Sequence, residues 1–185
     1  MQHVKNWCLA LGLFALFAVG CKENKRSEAE KIVKKWLGKE IIFPEEAKSW
    51  YMGKDTLYSS TKNAPYKMLV YTDSVGCTGC KLNLTLWKYY IQEMDSIAPG
   101  KVDFAFYFQP KSRKELAHLL RREKLEKIVF LDDKGILKKQ NNLSEEMMYQ
   151  CFLLDADNKV VAIGNPTLNA TVWDVYKKLI IEGNE

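Results

Sequence analysis

One stretch, Tyr66 to Phe108, constrains the fold more than any other part of the chain. Lys67-Met68-Leu69-Val70-Tyr71 is a compact apolar run, the pattern of a strand buried on both faces. Leu82, Leu84, Leu86, Trp87, Tyr89, Tyr90, Ile91 and Met94 then cover a broad apolar arc at helical spacing, predicting a helix from Cys80 to Ile97 that Pro99-Gly100 ends. Val102, Phe104, Phe106 and Phe108 alternate with Asp103, Ala105 and Tyr107, the two-residue period of a strand. Strand, helix and strand in that order join as parallel neighbours through a crossover. An α/β architecture follows.

The rest of the chain extends this unit. Ser112, with Glu115 three residues on, is a capping-box start for a helix through Glu123. Ile128-Val129-Phe130 is a short strand, and Ile136 to Ser144 a loop or helical turn. Cys151–Leu154 and Lys159–Ile163 flank Asp155-Ala156-Asp157-Asn158, a hairpin signal, and Ala170 to Ile181 supplies a closing helix. The expected domain, 66–185, is a mixed sheet flanked by helices, with the hairpin as an antiparallel edge. Before it, 28–65 forms a short extension: an amphipathic helix over Glu28–Leu37 stopped by Gly38, a short strand at Glu40–Phe43 ended by Pro44, and a hairpin around Gly53-Lys54-Asp55.

Gly76-Cys77-Thr78-Gly79-Cys80 falls directly after the first central strand and at the head of the long predicted helix. At a helix N-terminus Cys77 faces unpaired amide N–H groups and the positive end of the dipole, which favour thiolate over thiol. Cys80, three residues on, is placed to attack a mixed disulfide formed at Cys77. Two other readings stay open for the same pair. One is a static disulfide staple; the other is metal binding, although no second C-x-x-C or close His pair completes a zinc site.

In this context the chain resembles the thioredoxin-fold superfamily, and in particular the membrane-anchored thiol–disulfide oxidoreductases of the bacterial envelope. The resemblance covers about Tyr66 to Ile181, and Phe152-Leu153-Leu154-Asp155 followed by Asn158-Lys159-Val160-Val161 is similar to that class's hairpin. Trp36-Leu37-Gly38-Lys39-Glu40-Ile41-Ile42-Phe43-Pro44 is similar to segments of Bacteroidetes-type lipoproteins that carry such domains. The resemblance implies a thioredoxin-like fold, catalytic Cys77 and Cys80, and a substrate groove that includes Gly76, Thr78, Met148 and Tyr149. It also shows departures. Gly76 replaces the usual aromatic residue before the first Cys, and Tyr71 stands six residues before Cys77, where thioredoxin has an acid. Tyr149 occupies the place of the customary cis-Pro, since no Pro lies between Pro110 and Pro166. The functional alternative is a binding or assembly module on the same fold, with structural or vestigial cysteines.

The N-terminus sets the expected compartment. Met1 to Trp7 holds one Lys and no acid, and Cys8 to Val19 is a twelve-residue apolar run, short for a permanent span but suited to a signal peptide over 1–20. Ala18-Val19-Gly20-Cys21 resembles the lipobox of bacterial lipoproteins, which implies acylation at Cys21 and a tether over 21–27. At about 0.8 kcal/mol per buried CH₂, several acyl chains anchor stably where one does not. The domain is then expected in an extracytoplasmic compartment. Lys22 after the lipidated Cys favours the outer membrane by resemblance to enterobacterial sorting. The expected partner is a thiol- or disulfide-bearing envelope protein.

Charge and composition exclude other classes. Lys and Arg number 28 against 23 Asp and Glu, a net charge of +5, too mild an excess to point to nucleic acid. The aromatic series Phe104, Phe106 and Phe108 belongs to a core. His118 is the one His after Cys21 and lies on the exposed side of its helix, so a Cys–His hydrolase is not expected. Cys151 sits in an apolar strand as a small core residue. No cofactor and no resident metal are expected.

Overall fold

The computed structural model describes residues 27–45, 47–58, 64–74 and 82–183. In chain order its elements are α1 (residues 27–36), β1 (Lys48–Tyr51), β2 (Lys54–Asp55), β3 (Tyr66–Thr72), α2 (Leu84–Ile97), β4 (Val102–Phe108), α3 (Arg113–Arg122), β5 (Ile128–Leu131), α4 (Ile136–Asn141), a 3₁₀ turn (Met147–Tyr149), β6 (Cys151–Leu154), β7 (Val160–Ile163) and α5 (Ala170–Glu182). Helix α1 is the described part of a first compact unit and stops where Gly38 turns at φ +74°, a conformation that suits a residue without Cβ. The second unit, Leu37–Glu185, carries the sheet.

Among the described residues seven strands form one sheet in the order β2-β1-β5-β4-β3-β6-β7. The last five residues of β3, Met68 to Thr72, are all buried, as the continuous apolar run requires of a central strand. β3, β4 and β5 are parallel, with Val70 opposite Phe106 and Phe106 opposite Val129. β6 pairs antiparallel with β3, placing Cys151 opposite Val70, and β7 closes that edge antiparallel to β6. Asp155 Oδ1 accepts from the Asp157 and Lys159 amides, both at 2.9 Å, and so closes the β6–β7 turn. The mixed, helix-flanked α/β sheet is as the sequence predicts.

Alternation divides the sheet into two faces. Met68, Val70, Phe104, Phe106, Phe108, Val129 and Leu153 share one buried cluster with Trp87 and Met94 of α2, Leu116 and Leu120 of α3, and Tyr176 of α5. Trp87 stands edge-on to Tyr90, Phe104 and Phe106, with centroids 5.9, 6.4 and 5.8 Å away. Each such pair adds about 0.5–1.5 kcal/mol beyond the area it buries. α5 docks on α2 through Trp173, which stacks on Tyr90 at 4.3 Å and donates to Glu93 at 2.6 Å. On the opposite face Tyr107 stacks on Phe130 at 4.6 Å and meets Phe43 at 5.4 Å.

Three local expectations change. The hairpin around Gly53 forms, but its turn is Met52-Gly53 and its first strand also pairs with β5, so the extension builds the far edge of the same sheet. Glu40–Phe43 makes only a single bridge, Glu40 to Lys159, instead of a strand. Asn141 explains this: its side chain takes both the N–H and the C=O of Ile42, each at 2.8 Å, and draws that backbone off the ladder. Helix α2 starts at Leu84, because Asn83 adopts a left-handed conformation (φ 39°, ψ 48°) and its carbonyl receives the Leu86 and Trp87 amides. Asn is among the few residues that tolerate this conformation at small cost, so the apolar arc alone does not reveal the break.

Candidate functional site

The three parallel strands end on polar residues, Asp73 after β3, Gln109 after β4 and Asp132 after β5. Backbone bonds from Gln109 N to Thr72 O and from Asp132 N to Phe108 O, both 2.9 Å, hold these ends in step. In open α/β sheets the crevice outside the carboxyl ends of the strands is where ligands bind. Here that place holds a cleft of about 390 Å³, lined by Asp73, Ser74, Gln109, Lys138, Lys139 and Glu145 among others.

Each polar group has an identifiable support. Asp132 is buried, and its carboxylate accepts from the Ile136 and Leu137 amides at 2.7 and 2.8 Å, fixing the start of α4. α4 in turn delivers Lys138, whose Nζ lies 3.4 Å from Asp73 Oδ2 and 2.6 Å from Glu145 Oε2. Burial opposes the Lys138 charge, but the hydrogen bond to Glu145 and the nearby Asp73 outweigh it and hold its pKa above the ordinary lysine value. Gln150, with no exposed surface, donates through Nε2 to Asp73 at 3.3 Å and to the Ser144 carbonyl at 2.9 Å. Among the described residues its Oε1 is the one buried side-chain polar atom without a hydrogen-bond partner. Gln109 accepts from the Tyr71 hydroxyl at 3.1 Å, and burial together with Asp132 and Asp73 pushes that phenol's pKa up, so it stays a donor.

No protein-family model matches the chain, and no curated protein matches its sequence. Solved structures do. The thioredoxin domain of a thiol-disulfide oxidoreductase from Bacteroides vulgatus matches at a TM-score of 0.56 and 13% identity, over 78% of this chain and 97% of that one. The chain has a thioredoxin-like fold. Bacterioferritin comigratory protein from Xanthomonas campestris, described for alkyl peroxide reduction, matches at 0.52 and 13%, over 75% of this chain and 91% of that one. A conserved protein from Bacteroides fragilis matches at 0.51 and 16%, over 76% and 98%. At these identities the likeness is one of fold.

In this thioredoxin-like sheet the segment with Gly76, Cys77, Thr78 and Cys80 leaves β3 at the rim of the cleft, where Ser74 is its last described residue; the four themselves lie outside the described residues. So does Cys21. Leu82, directly after the undescribed residues, is already helical and Asn83 separates it from α2, so the helix start expected at Cys80 lies outside the described residues. Met148 and Tyr149 precede β6, both half-buried in the 3₁₀ turn. The Tyr149 amide is not open to a substrate, however: it donates to Glu146 O at 2.9 Å. Asn165 pins the same turn, donating its backbone N–H to Met148 O at 2.8 Å and its side-chain amide to Met147 O at 3.4 Å. Cys151 is buried, unpaired and inert, and desolvation pushes its thiol pKa well up. His118 is exposed on α3.

Asp73, Gln109, Lys138, Gln150 and Asn165 escape sequence reasoning. One signal was available: Gln109 and Asp132 directly follow apolar strand runs and Asp73 follows one after Thr72, and polar residues at parallel strand ends mark the crevice. Among the described residues no group of three or more His, Cys, Asp or Glu is arranged to hold a metal.

Proposed function

We propose that the chain is a thiol–disulfide exchange protein, held on the bacterial envelope by acyl chains at Cys21 and working through Cys77 and Cys80. The observation that carries this reading is the position of the C-x-x-C in the thioredoxin-like fold. In the sequence it falls between the carboxyl end of the central parallel strand β3 and the long helix α2. The Cys77 thiolate attacks a partner disulfide, one partner sulfur leaves as a thiolate and takes a proton, and a mixed disulfide forms. Cys80 then attacks the Cys77 sulfur, releases the second partner thiol and leaves the pair oxidised; the reverse sequence reduces it. Two electrons pass from the pair to the partner. The partner is a disulfide- or thiol-bearing envelope protein.

Trapping tests the reading. Cys80→Ser removes the resolving thiol, so mixed disulfides with envelope proteins accumulate on non-reducing gels, whereas Cys77→Ser accumulates none. Equal absence of adducts in both variants, with both folded, supports instead a binding or assembly module. Labelled fatty acid enters the wild type and not Cys21→Ser; labelling that persists in the variant ends the lipoprotein part of the proposal.

A further inference from the structure

The sheet face turned away from α2 carries a cavity of about 390 Å³, within the range of small-molecule sites. β4 builds its floor, where Ala105 stands in the row between Asp103 and Tyr107. Both neighbours are far larger, which leaves room above Ala105. Four rings wall the space. Tyr107 stacks on Phe130 at 4.6 Å, Phe43 meets Tyr107 at 5.4 Å, and Tyr58 stands edge-on to Phe130 at 5.1 Å. Tyr58 is 37% exposed and Phe43 half-buried, so these rings keep surface for an occupant.

Two opposite charges line the same cavity toward the amino ends of β3 and β4. Lys67 and Asp103 are direct partners in the β3–β4 register, on strands about 4.8 Å apart. They do not pair with each other. Lys67 Nζ donates to Asn158 Oδ1 at 2.6 Å and lies 4.6 Å from the Phe43 ring centroid, whereas Asp103 Oδ2 accepts from the Tyr58 hydroxyl at 3.4 Å. Burial holds the Lys67 pKa below the ordinary lysine value in spite of Asp103. The third charge of the lining, Glu45, is exposed, and water screens it. Lys67 and Asp103 thus rest on neutral groups, and an added counter-charge stabilises each. A lone carboxylate gains Lys67 but meets Asp103, and a lone ammonium does the reverse. A ligand with both charges on one carbon satisfies the two together.

We infer that this cavity binds a free aromatic α-amino acid as its zwitterion, with the α-carboxylate on Lys67, the α-ammonium on Asp103 and the ligand ring among Phe43, Tyr58, Tyr107 and Phe130. The site uses no cysteine and is independent of the exchange chemistry proposed above.

The test is a nuclear magnetic resonance titration of the full chain in detergent, labelled at its alanine methyl groups. The Ala105 methyl on the cavity floor is the reporter, assigned by its loss in Ala105→Gly. L-Phenylalanine is compared with 3-phenylpropionate, which lacks the ammonium, with phenethylamine, which lacks the carboxylate, and with L-alanine, which lacks the ring. Phenylalanine is expected to bind about tenfold tighter than each of the other three. Lys67→Met should weaken phenylalanine about fivefold without weakening phenethylamine, and Asp103→Asn should weaken it about fivefold without weakening 3-phenylpropionate. Circular dichroism checks the fold of each variant, and the comparison of ligands on the wild type needs none. An Ala105 signal that moves with no ligand overturns the inference. So does equal affinity for phenylalanine and either single-charge analogue, or undiminished phenylalanine binding by folded Lys67→Met.

Discussion

Under α2 and α5 the sheet buries Trp87, Phe106, Leu153 and Tyr176, and the polar atoms it takes with them are matched: the Tyr176 hydroxyl donates to Gly164 O at 2.7 Å and Trp173 Nε1 to Glu93 at 2.6 Å. Off the carboxyl ends of β3, β4 and β5 it buries Asp73, Asp132 and Gln150 instead, and one amide oxygen goes unmatched. The first region gains free energy from area and packing, so a similar residue could replace almost any of its members at modest loss. The second costs desolvation at every group and returns it only through specific partners. There Asp132 fixes the start of α4, Asp73 holds Lys138 and Gln150, and the segment with the cysteines follows β3 in the sequence.

The comparison can be broken at its strongest point first. Trp87 is 1% exposed, and Trp87→Ala is expected to lower the unfolding free energy by about 3–5 kcal/mol in urea titrations. A loss below half of that places the main core elsewhere. Asp73→Ala strips Lys138 of its inner partner and Gln150 of one acceptor; about 2–3 kcal/mol is expected, less than for a fully buried pair because Lys138 retains Glu145. Gln150→Met keeps the volume while removing both the unmatched oxygen and the amide donor. The two changes oppose each other, and the net effect should stay within about 1 kcal/mol. A loss as large as that of Asp73→Ala would mean that Gln150 Oε1 has a donor after all.

The smallest effect is one of pH. The folded-state pKa of Lys138 is raised above the 10.5 of an unfolded lysine, so its contribution is fully present below that pH and lost as pH rises through the folded value. The stability difference between wild type and Lys138→Met should therefore be flat from neutral pH up to about 10 and shrink above it. A difference that changes between pH 6 and 8 implicates another group.

Legibility followed the same division. Period-two alternation in Val102–Phe108, the helical arc of Leu84–Met94, the Asp155–Asn158 hairpin and the Ser112 cap all express local rules, and each is present as the sequence predicts, Ser112 Oγ accepting from Glu115 N at 3.3 Å. The polar cluster is assembled by contacts across the chain. Asp73 meets Lys138 over 65 residues and Gln150 over 77, distances that no window of the sequence spans. Asn141 is the same case in miniature: an amide 99 residues away decides that Ile42 leaves the ladder. Asn83 failed for a different reason, since one left-handed residue inside an apolar arc leaves the periodicity almost untouched.

The central claim, a redox-active pair, is tested most directly by a redox titration of the full chain across graded ratios of reduced to oxidised dithiothreitol, with thiols counted by alkylation and mass spectrometry. The account predicts a single two-electron transition that disappears in Cys77→Ser and in Cys80→Ser and survives in Cys151→Ala, because the Cys151 thiol is buried and held protonated. A chain whose Cys77 and Cys80 thiols stay unchanged across the whole range, or whose transition follows Cys151, contradicts it.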